Sequence, residues 1–255
     1  MNADKTPDLS VVLPMYCNRD TVVELYQRLC TSLDTAGIRF ELIFVDDGCP
    51  QRSFEIIEPL TKTDKRVNLV VMEHNVGQND ALLAGFSCAS GKAVASMDAD
   101  LQDPPEALPR LYSALTPDLD VVFGGRLGSY EPEYRLITSR LYKWVMHNLS
   151  GVPMDAGLFF VATQQLSTKL IALSECNTHI IPMIGVLGSN TLSIPTPRSY
   201  RPSGISAYSG QDRLSMGLAA LTWLIKYKLK RKDRSSVVLE KVFPISSKLG
   251  QKFNN

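Results

Sequence analysis

Short apolar runs alternate with stretches of helical periodicity through about the first 100 residues of the chain. Four runs have the length and composition of buried strands: Leu9–Leu13, Phe40–Val45, Val67–Met72 and Ala93–Met97. Apolar residues recur with helical spacing between these runs, over about residues 21–35, 54–60 and 79–89. Strands separated by single crossovers of helical length predict an α/β fold, with a mostly parallel sheet and helices on both faces.

A polar turn follows each of the four predicted strands. The turns are Pro14–Asn18, Asp46–Cys49, His74–Gln78 and Asp98–Asp103. In an open α/β sheet, ligands bind at the edge where the strands have their C-terminal ends. The sequence therefore predicts that the four turns meet there and form one ligand site.

The second half of the chain is less regular. The predicted strands are Leu119–Phe123 and Leu158–Val161, and the predicted helices are Arg135–Leu149, Gln164–Leu173 and Leu214–Ile225. Residues 177–210 hold many Pro, Gly and Ser residues, which predicts loops and a mobile flap. We therefore expect a catalytic domain over residues 1–213, followed over 214–255 by an apolar, amphipathic helix and a basic tail.

Composition narrows the class of protein. The net charge of +1 gives no reason to expect nucleic acid as a partner. Five cysteines, with no C-x-x-C pair, argue against a disulfide framework or a zinc site and favour a reducing compartment. Residues 1–8 lack the apolar core of a signal peptide, and no run has the roughly 18 apolar residues of a membrane span. These features predict a cytoplasmic protein, with peripheral membrane contact left open.

The segment that follows the fourth predicted strand has the chemistry of a metal site. Asp98 and Asp100 are two residues apart, so they point to the same face if strand geometry continues through them. Mg²⁺ and Mn²⁺ prefer oxygen ligands, and Mg²⁺ is commonly held by one or two carboxylates together with substrate phosphates. The alternative is that both aspartates are helix-cap or surface residues. The end of a buried strand and three further polar turns weigh against it.

Asp46-Asp47-Gly48 also follows a predicted strand. A carboxylate here can accept hydrogen bonds from a nucleobase or ribose, and Gly48 permits a tight turn. A turn combined with a helix cap explains the local sequence equally well. Asn75–Gln78 can bring backbone and amide groups against a ligand.

Together these motifs resemble the inverting family 2 glycosyltransferases, most closely the branch of dolichol- and polyprenyl-phosphate sugar transferases. The resemblance covers about residues 9–150 and rests on Pro14–Tyr16, Val45–Gly48, Asn75–Gln78 and the specific string Met97–Glu106. It implies a GT-A, Rossmann-like fold. No G-x-G-x-x-G follows the first strand, which disfavours a dinucleotide oxidoreductase.

The resemblance implies roles for residues in all four turns. Those that would bind the nucleotide-diphosphate sugar are Pro14, Tyr16, Asp46 or Asp47, Asn75, Gln78, Asp98 and Ala99. Those that would bind Mg²⁺ or Mn²⁺ are Asp98, Asp100 and Gln102.

Arginines in the second half match the family's phosphate-facing positions. These are Arg126 in a G-x-R-like element, Arg140 on a helix, and Arg201 in the flap motif Arg201-x-x-Gly204-x-Ser206-x-Tyr208. The planar fork of arginine grips phosphate oxygens and keeps its charge. The alternative for each is a solvated surface charge, which we prefer for Arg135.

Two departures from the family pattern concern the nucleotide and the acceptor. Cys17-Asn18-Arg19 replaces a common Asn-Glu pair after the first strand. Leu158 and Phe160 stand where relatives often carry an acid or an arginine. Asp155 is then the nearest candidate for a catalytic base, with a structural role as its alternative.

The resemblance implies a single in-line displacement at the anomeric carbon of the sugar. A lipid-phosphate acceptor arrives already ionised, whereas a saccharide hydroxyl needs a carboxylate to take its proton. The missing acid near Leu158 favours the lipid phosphate. A catalytically impaired nucleotide-sugar-binding protein stays an alternative. A nucleotidyltransferase is disfavoured because the chain lacks a basic, glycine-rich loop near the first strand.

The C-terminal segment permits two interpretations. Residues 226–234 hold six basic residues and one acidic residue, directly after the apolar residues of the predicted helix. Residues 214–232 would then lie in an anionic membrane interface. The equally favoured alternative is that the helix packs in the core or in a homodimer and that its basic tail is solvated.

Overall fold

The computed structural model describes residues 6–127, 144–173, 179–199 and 210–230, with the backbone alone for 126–127, 210–216 and 228–230. The strands are β1 (Leu9–Met15), β2 (Phe40–Asp46), β3 (Val67–Val71), β4 (Ala93–Ser96), β5 (Val121–Leu127), β6 (Phe160–Thr163) and β7 (Thr191–Pro197). The helices are α1 (Val22–Thr35), α2 (Phe54–Thr63), α3 (Gln78–Ser87), α4 (Leu108–Ser113), α5 (144–150), α6 (Gln164–Leu173), α7 (Ile180–Val186) and α8 (Gly210–Lys230).

The described strands form one sheet in the order β3-β2-β1-β4-β6-β5-β7. Every pairing is parallel except those of β6, which runs antiparallel to both β4 and β5. Six strands therefore share one direction, and their C-terminal ends lie at one edge of the sheet. The predicted mostly parallel sheet is confirmed.

Both faces of the sheet are covered, because the central strands are apolar at consecutive positions. On β1, Val11 and Leu13 pack into one buried cluster with α1 and α4, while Val12 packs into a second cluster with α3 and α6. On α1, the residues predicted to face the core are the buried ones: Val22, Leu25, Leu29 and Leu33.

The prediction of loops over residues 177–210 is wrong for much of that segment, which contains α7 and β7. Pro195 and Pro197, which favour a loop when the sequence is considered alone, lie in β7. Among the described strands, β7 is at the edge of the sheet and pairs only with β5, so a proline nitrogen there need not meet a partner strand.

Other boundaries differ in detail. β5 and β6 begin two residues later than predicted, and α8 extends beyond the predicted Leu214–Ile225 at both ends. Most of the predicted helix Arg135–Leu149 lies outside the described residues. Among the described helices, none combines the length and the apolar character needed to cross a bilayer.

Candidate active site

Hydrogen bonds join the polar turns at the C-terminal edge of the sheet. The carboxylate of Asp47, directly after β2, accepts the N–H groups of Val76 at 2.7 Å and Gly77 at 3.0 Å, in the turn after β3. The amide nitrogen of Gln78, the first residue of α3, donates to Oδ1 of Asp98 at 2.5 Å. These contacts join the turns after β2, β3 and β4, as predicted.

Asp46 has the contacts of a turn and helix cap. Its side chain is completely buried, and its two oxygens accept the N–H groups of Cys49 and Phe54, each at 2.8 Å. Phe54 is the first residue of α2, so this carboxylate fastens the turn to the start of the helix. Burial raises the pKa of Asp46. Of the two interpretations of the Asp46–Gly48 motif, these contacts favour the structural one for Asp46.

Asp47 shapes the neighbouring turn. It is buried, and burial raises its pKa to about 6 although two N–H groups donate to it. Gly48 follows with a φ of +62°, and a Cβ on it would lie 2.5 Å from the backbone nitrogen of Asn75. The turns after β2 and β3 therefore approach so closely that only glycine fits. The side chain of Asn75 is exposed beside them.

The end of β1 and the turn after it contain Pro14 and Tyr16, which are expected around the nucleoside. Pro14 is buried within β1, and Tyr16 just beyond it is 38% exposed. The backbone of Tyr16 donates to Oδ1 of Asn18 at 2.8 Å, which holds the turn. The hydroxyl of Thr21 donates to the carbonyl oxygen of Ala99 at 2.5 Å, which ties this turn to the segment after β4.

The Asp98–Asp103 segment is a turn and not a continued strand. β4 ends at Ser96, so strand alternation does not place Asp98 and Asp100 on one face as expected. Asp100 is buried, and its Oδ1 accepts the N–H of Gln102 at 3.0 Å. Leu101 between them has a φ of +59°, which turns the chain sharply. The Asp100 carboxylate is thus held by the turn itself.

Arg198 reaches this segment from beyond β7. Its Nη2 lies 3.5 Å from Oδ2 of Asp98, and its Nε lies 3.2 Å from Oδ1 of the buried Asp103. The N–H of Ser199 donates to the carbonyl oxygen of Gln102 at 2.8 Å. Sequence reasoning missed Arg198 because it assigned residues 177–210 to a flap. Predicting β7 as an edge strand parallel to β5 would have placed its C-terminal end, and Arg198 after it, at this site.

Asp155 lies against the C-terminal end of β5. Its Oδ2 accepts the hydroxyl of Ser193 on β7 at 2.8 Å, and a Cβ on Gly125 would overlap its carboxylate. Arg126 follows Gly125, and its backbone stands opposite Thr196 of β7. Arg126 and Asp155 are therefore brought to the same part of the edge. The predicted positions Arg140 and Arg201 lie outside the described residues.

The carboxylates after β4 suit a divalent cation. Three of them, from Asp98, Asp100 and Asp103, lie within six residues of chain, and Asp98 already faces the positive charge of Arg198. Among the described residues, no three His, Cys, Asp or Glu side chains form a ready-made metal cage. Mg²⁺ sites in nucleotide enzymes commonly use one or two carboxylates and complete the shell with phosphate oxygens and water. Asp98, Asp100 and Gln102 carry side-chain oxygen atoms of the kind that such a site uses.

Comparison with known proteins gives the family. Residues 10–167 match the family model described as glycosyl transferase family 2. An undecaprenyl-phosphate 4-deoxy-4-formamido-L-arabinose transferase of Edwardsiella ictaluri (strain 93-146) is 34% identical over 203 residues, which cover 78% of this chain and 62% of that protein. The protein of the same name in Pectobacterium carotovorum subsp. carotovorum (strain PC1) is 30% identical over 224 residues, with 87% and 68% covered. The chain thus spans 62% of the length of the first relative.

Solved structures give the fold. Mannosyl-3-phosphoglycerate synthase from Rubrobacter xylanophilus superposes with a TM-score of 0.65 at 16% identity, covering 93% of this chain and 79% of that one. Glucosyl-3-phosphoglycerate synthase from Mycobacterium tuberculosis, in complex with Mn²⁺, uridine diphosphate and glucosyl-3-phosphoglycerate, gives 0.63 at 19% identity, covering 86% and 79%. The expected GT-A fold is confirmed.

Proposed function

The chain belongs to glycosyl transferase family 2, and on that premise we propose that it moves a sugar from a nucleotide-diphosphate sugar to a polyprenyl phosphate. The observation that carries the proposal is the sheet edge where the turns after β1, β2, β3 and β4 meet beside Arg198. Carboxylates and an arginine on one rim suit a donor that carries both a metal and a diphosphate. The names of the relatives, which include undecaprenyl phosphate, support the acceptor.

In this proposal, some residues of the turns contact the nucleoside and others position the turns. Pro14, Tyr16 and Asn75 line the nucleoside side of the edge. Asp47 and Gln78 hold the turns in register there, through their hydrogen bonds to neighbouring turns. Ala99 lies between the carboxylates and carries the carbonyl that Thr21 binds.

The proposed reaction is one in-line displacement with inversion. An oxygen of the acceptor phosphate attacks the anomeric carbon while the bond to the nucleoside diphosphate breaks on the opposite side. Asp98, Asp100 and Gln102 would hold a Mg²⁺ or Mn²⁺ ion, which would neutralise charge on the leaving diphosphate. Arg126, Arg140 and Arg201 are proposed to hold the phosphates of donor and acceptor. Positioning and charge neutralisation would supply most of the rate.

A saccharide hydroxyl is the second candidate acceptor, and Asp155 is the observation that favours it. The carboxylate lies beside Gly125 at the same edge, and one of its oxygens is bound by Ser193. A hydroxyl acceptor needs a base to take its proton, whereas a phosphate does not. Replacing Asp155 by Asn therefore separates the candidates. Loss of about 100-fold in kcat is expected for a hydroxyl acceptor, and little change for a phosphate acceptor.

The direct test is a transfer assay with a panel of nucleotide-diphosphate sugars, Mn²⁺ or Mg²⁺, and either undecaprenyl phosphate or free saccharides. We expect nucleoside diphosphate to be released with undecaprenyl phosphate, and the product to have the inverted anomeric configuration. Asp100→Ala should abolish turnover. Asp118→Ala is the matched control, because Asp118 is exposed in the turn that precedes β5. Full activity of the Asp100 variant, or no release with any donor, contradicts the proposal.

A further inference from the structure

Two cysteines from different turns face each other at the nucleoside side of the sheet edge. Cys17 lies in the turn after β1 and Cys49 in the turn after β2, and their sulfur atoms are 3.7 Å apart. A disulfide bond is about 2.05 Å long, so a shift of less than 2 Å joins them. Cys17 is exposed, and Cys49 is 6% exposed directly behind it.

The surroundings give the two thiols different properties. Partial burial of the sulfur, together with its hydrogen bond with Cys49, raises the pKa of the Cys17 thiol to about 11. Burial opposes ionisation of Cys49 as well, but hydrogen bonds from Ser53 and from the N–H of Cys17 lower its pKa overall. The N–H of Cys17 is 3.1 Å from the sulfur of Cys49, and the hydroxyl of Ser53 is 3.3 Å from it. Cys17 is therefore the accessible thiol, and Cys49 is the thiol that ionises more readily.

We propose that Cys17 and Cys49 are a modification site that closes reversibly to a disulfide when the protein meets a low-molecular-weight disulfide such as glutathione disulfide. The Cys17 thiolate attacks one sulfur of the reagent, which forms a mixed disulfide and releases one glutathione thiolate. The Cys49 thiolate then attacks the Cys17 sulfur and releases the second. The protein loses two protons and two electrons, and the reagent is reduced to two thiols. Transient bonds of this kind are compatible with a reducing compartment.

The consequence for binding rests on the proposed function. Tyr16 directly precedes Cys17, and Gly48 directly precedes Cys49 in the closely packed turn. Closing the bond draws the two turns together and moves the exposed ring of Tyr16. We expect the oxidised protein to bind its nucleoside diphosphate about tenfold more weakly, since a small misplacement of groups in a pre-organised site is costly.

The bond itself is tested without reference to activity. The full chain is equilibrated in glutathione redox buffers, alkylated with N-ethylmaleimide, digested and analysed by mass spectrometry. We expect a cross-linked Cys17–Cys49 peptide pair that reductant removes, and alkylation of Cys30 and Cys88 throughout. Cys17→Ser and Cys49→Ser should yield no pair, and Cys88→Ser should yield the same pair as the natural chain. The proposal is overturned if Cys17 and Cys49 are alkylated separately at the highest ratio of glutathione disulfide to glutathione. It is also overturned if either cysteine pairs with another one.

The rate gives a second criterion. Because the attacking thiol has a raised pKa, we expect bond formation to accelerate about tenfold per pH unit between pH 7 and 9. A rate that is flat over this range contradicts Cys17 as the first nucleophile.

Binding is measured by titrating reduced and oxidised protein with the nucleoside diphosphate identified in the transfer assay and Mn²⁺. Weaker binding that reductant restores, and that Cys17→Ser does not show, supports the role of the pair at the donor pocket. A disulfide that leaves affinity unchanged refutes that role. A disulfide in a protein that binds no nucleoside diphosphate refutes the proposed function and leaves the modification site established.

Discussion

Carboxylates at the sheet edge have different partners: Asp46 accepts two backbone N–H groups, whereas Asp98 faces the guanidinium of Arg198. The positions of Asp98 and Asp100 at the edge were predictable because both residues closely follow a buried strand, and this pattern spans only a few residues. Arg198 was missed because its ion pairs join positions about 100 residues apart. Asp46 is the last residue of β2, and only its hydrogen bonds in the structure show that both of its oxygens accept backbone N–H groups. Local patterns place a carboxylate at an edge but do not say what it contacts.

Replacing Arg198 by Met is expected to lower both stability and activity. The side chain is 14% exposed, and the change removes a cation from the buried carboxylate of Asp103. Removal of one partner from a buried ion pair costs about 3–5 kcal/mol, and partial exposure reduces this to about 1–3 kcal/mol. Arg39→Met is the matched control, because its ion pair with Asp8 is at the surface and is expected to contribute less than about 1 kcal/mol. Urea unfolding measures the stability of both variants. Equal losses of stability would contradict a buried ion pair between Arg198 and Asp103.

His179 should make stability depend on pH. Its Nε2 is buried without a hydrogen bond in the described part of the chain, and burial lowers its pKa from the ordinary 6.5, with nearby Asp80 opposing the shift. The unfolded chain therefore binds the proton more readily than the folded protein. Stability from this residue is present above pH 6.5 and is lost as the pH falls below it.

The His179 effect is measured by urea unfolding between pH 5 and 7. We expect the natural chain to lose stability relative to His179→Gln, with a slope of at most about 1.4 kcal/mol per pH unit. His74→Gln is the control, because His74 is exposed and should leave the slope unchanged. Parallel curves of unfolding free energy against pH for the natural chain and the His179 variant would contradict this prediction.

At the scale of elements, the central strands and the first three helices were predictable because both faces of the sheet are buried. β1 and β2 are apolar at consecutive positions, which gives an unmistakable run. β7 was not predictable, because an edge strand is only half buried and here carries two prolines. β6 matches only two residues of its predicted range, and its antiparallel direction is set by its neighbours and not by its own sequence.

The packing of the turns after β2 and β3 can be tested with a pair of glycines. Gly48 and Gly37 have nearly the same φ, +62° and +65°, but a Cβ added to Gly48 would meet backbone atoms within 4 Å, and one added to Gly37 would not. Gly37→Ala is expected to cost about 1–2 kcal/mol for the left-handed conformation alone. Gly48→Ala should cost about 1–3 kcal/mol more, because the Cβ displaces the turn after β3.

Both glycine variants are compared by urea unfolding and by nucleotide binding. The Gly48 variant should also bind donor more weakly, since Asn75 shifts with the turn, while the Gly37 variant should bind normally. Equal destabilisation by the two changes would show that the turns are not in close contact.

At the scale of the whole molecule, α8 has two different faces. Leu224 is completely buried, and it packs with Met146 of α5 and Val186 of α7. Leu218 and Ile225 are 55% and 44% exposed, and they lie seven positions apart, on one side of the helix. The two interpretations of the C-terminal segment are therefore compatible. The helix contributes to the core with one face and leaves apolar side chains outward on another, beside the exposed Lys226.

The outward face of α8 is expected to contact an anionic membrane, where a polyprenyl phosphate would be met. Apolar side chains beside a run of basic residues bind such surfaces through burial and charge together. The full chain should float with vesicles that contain phosphatidylglycerol, less so at high salt, and not with neutral vesicles.

Replacing both Leu218 and Ile225 by Asn should reduce binding to these vesicles about tenfold or more, because each loses about 1–2 kcal/mol of apolar burial. Leu192→Asn is the control, since Leu192 is similarly exposed on the edge strand β7. Unchanged flotation of the double variant refutes the membrane contact, and a dimer in solution that this variant abolishes assigns the face to a second copy of the chain.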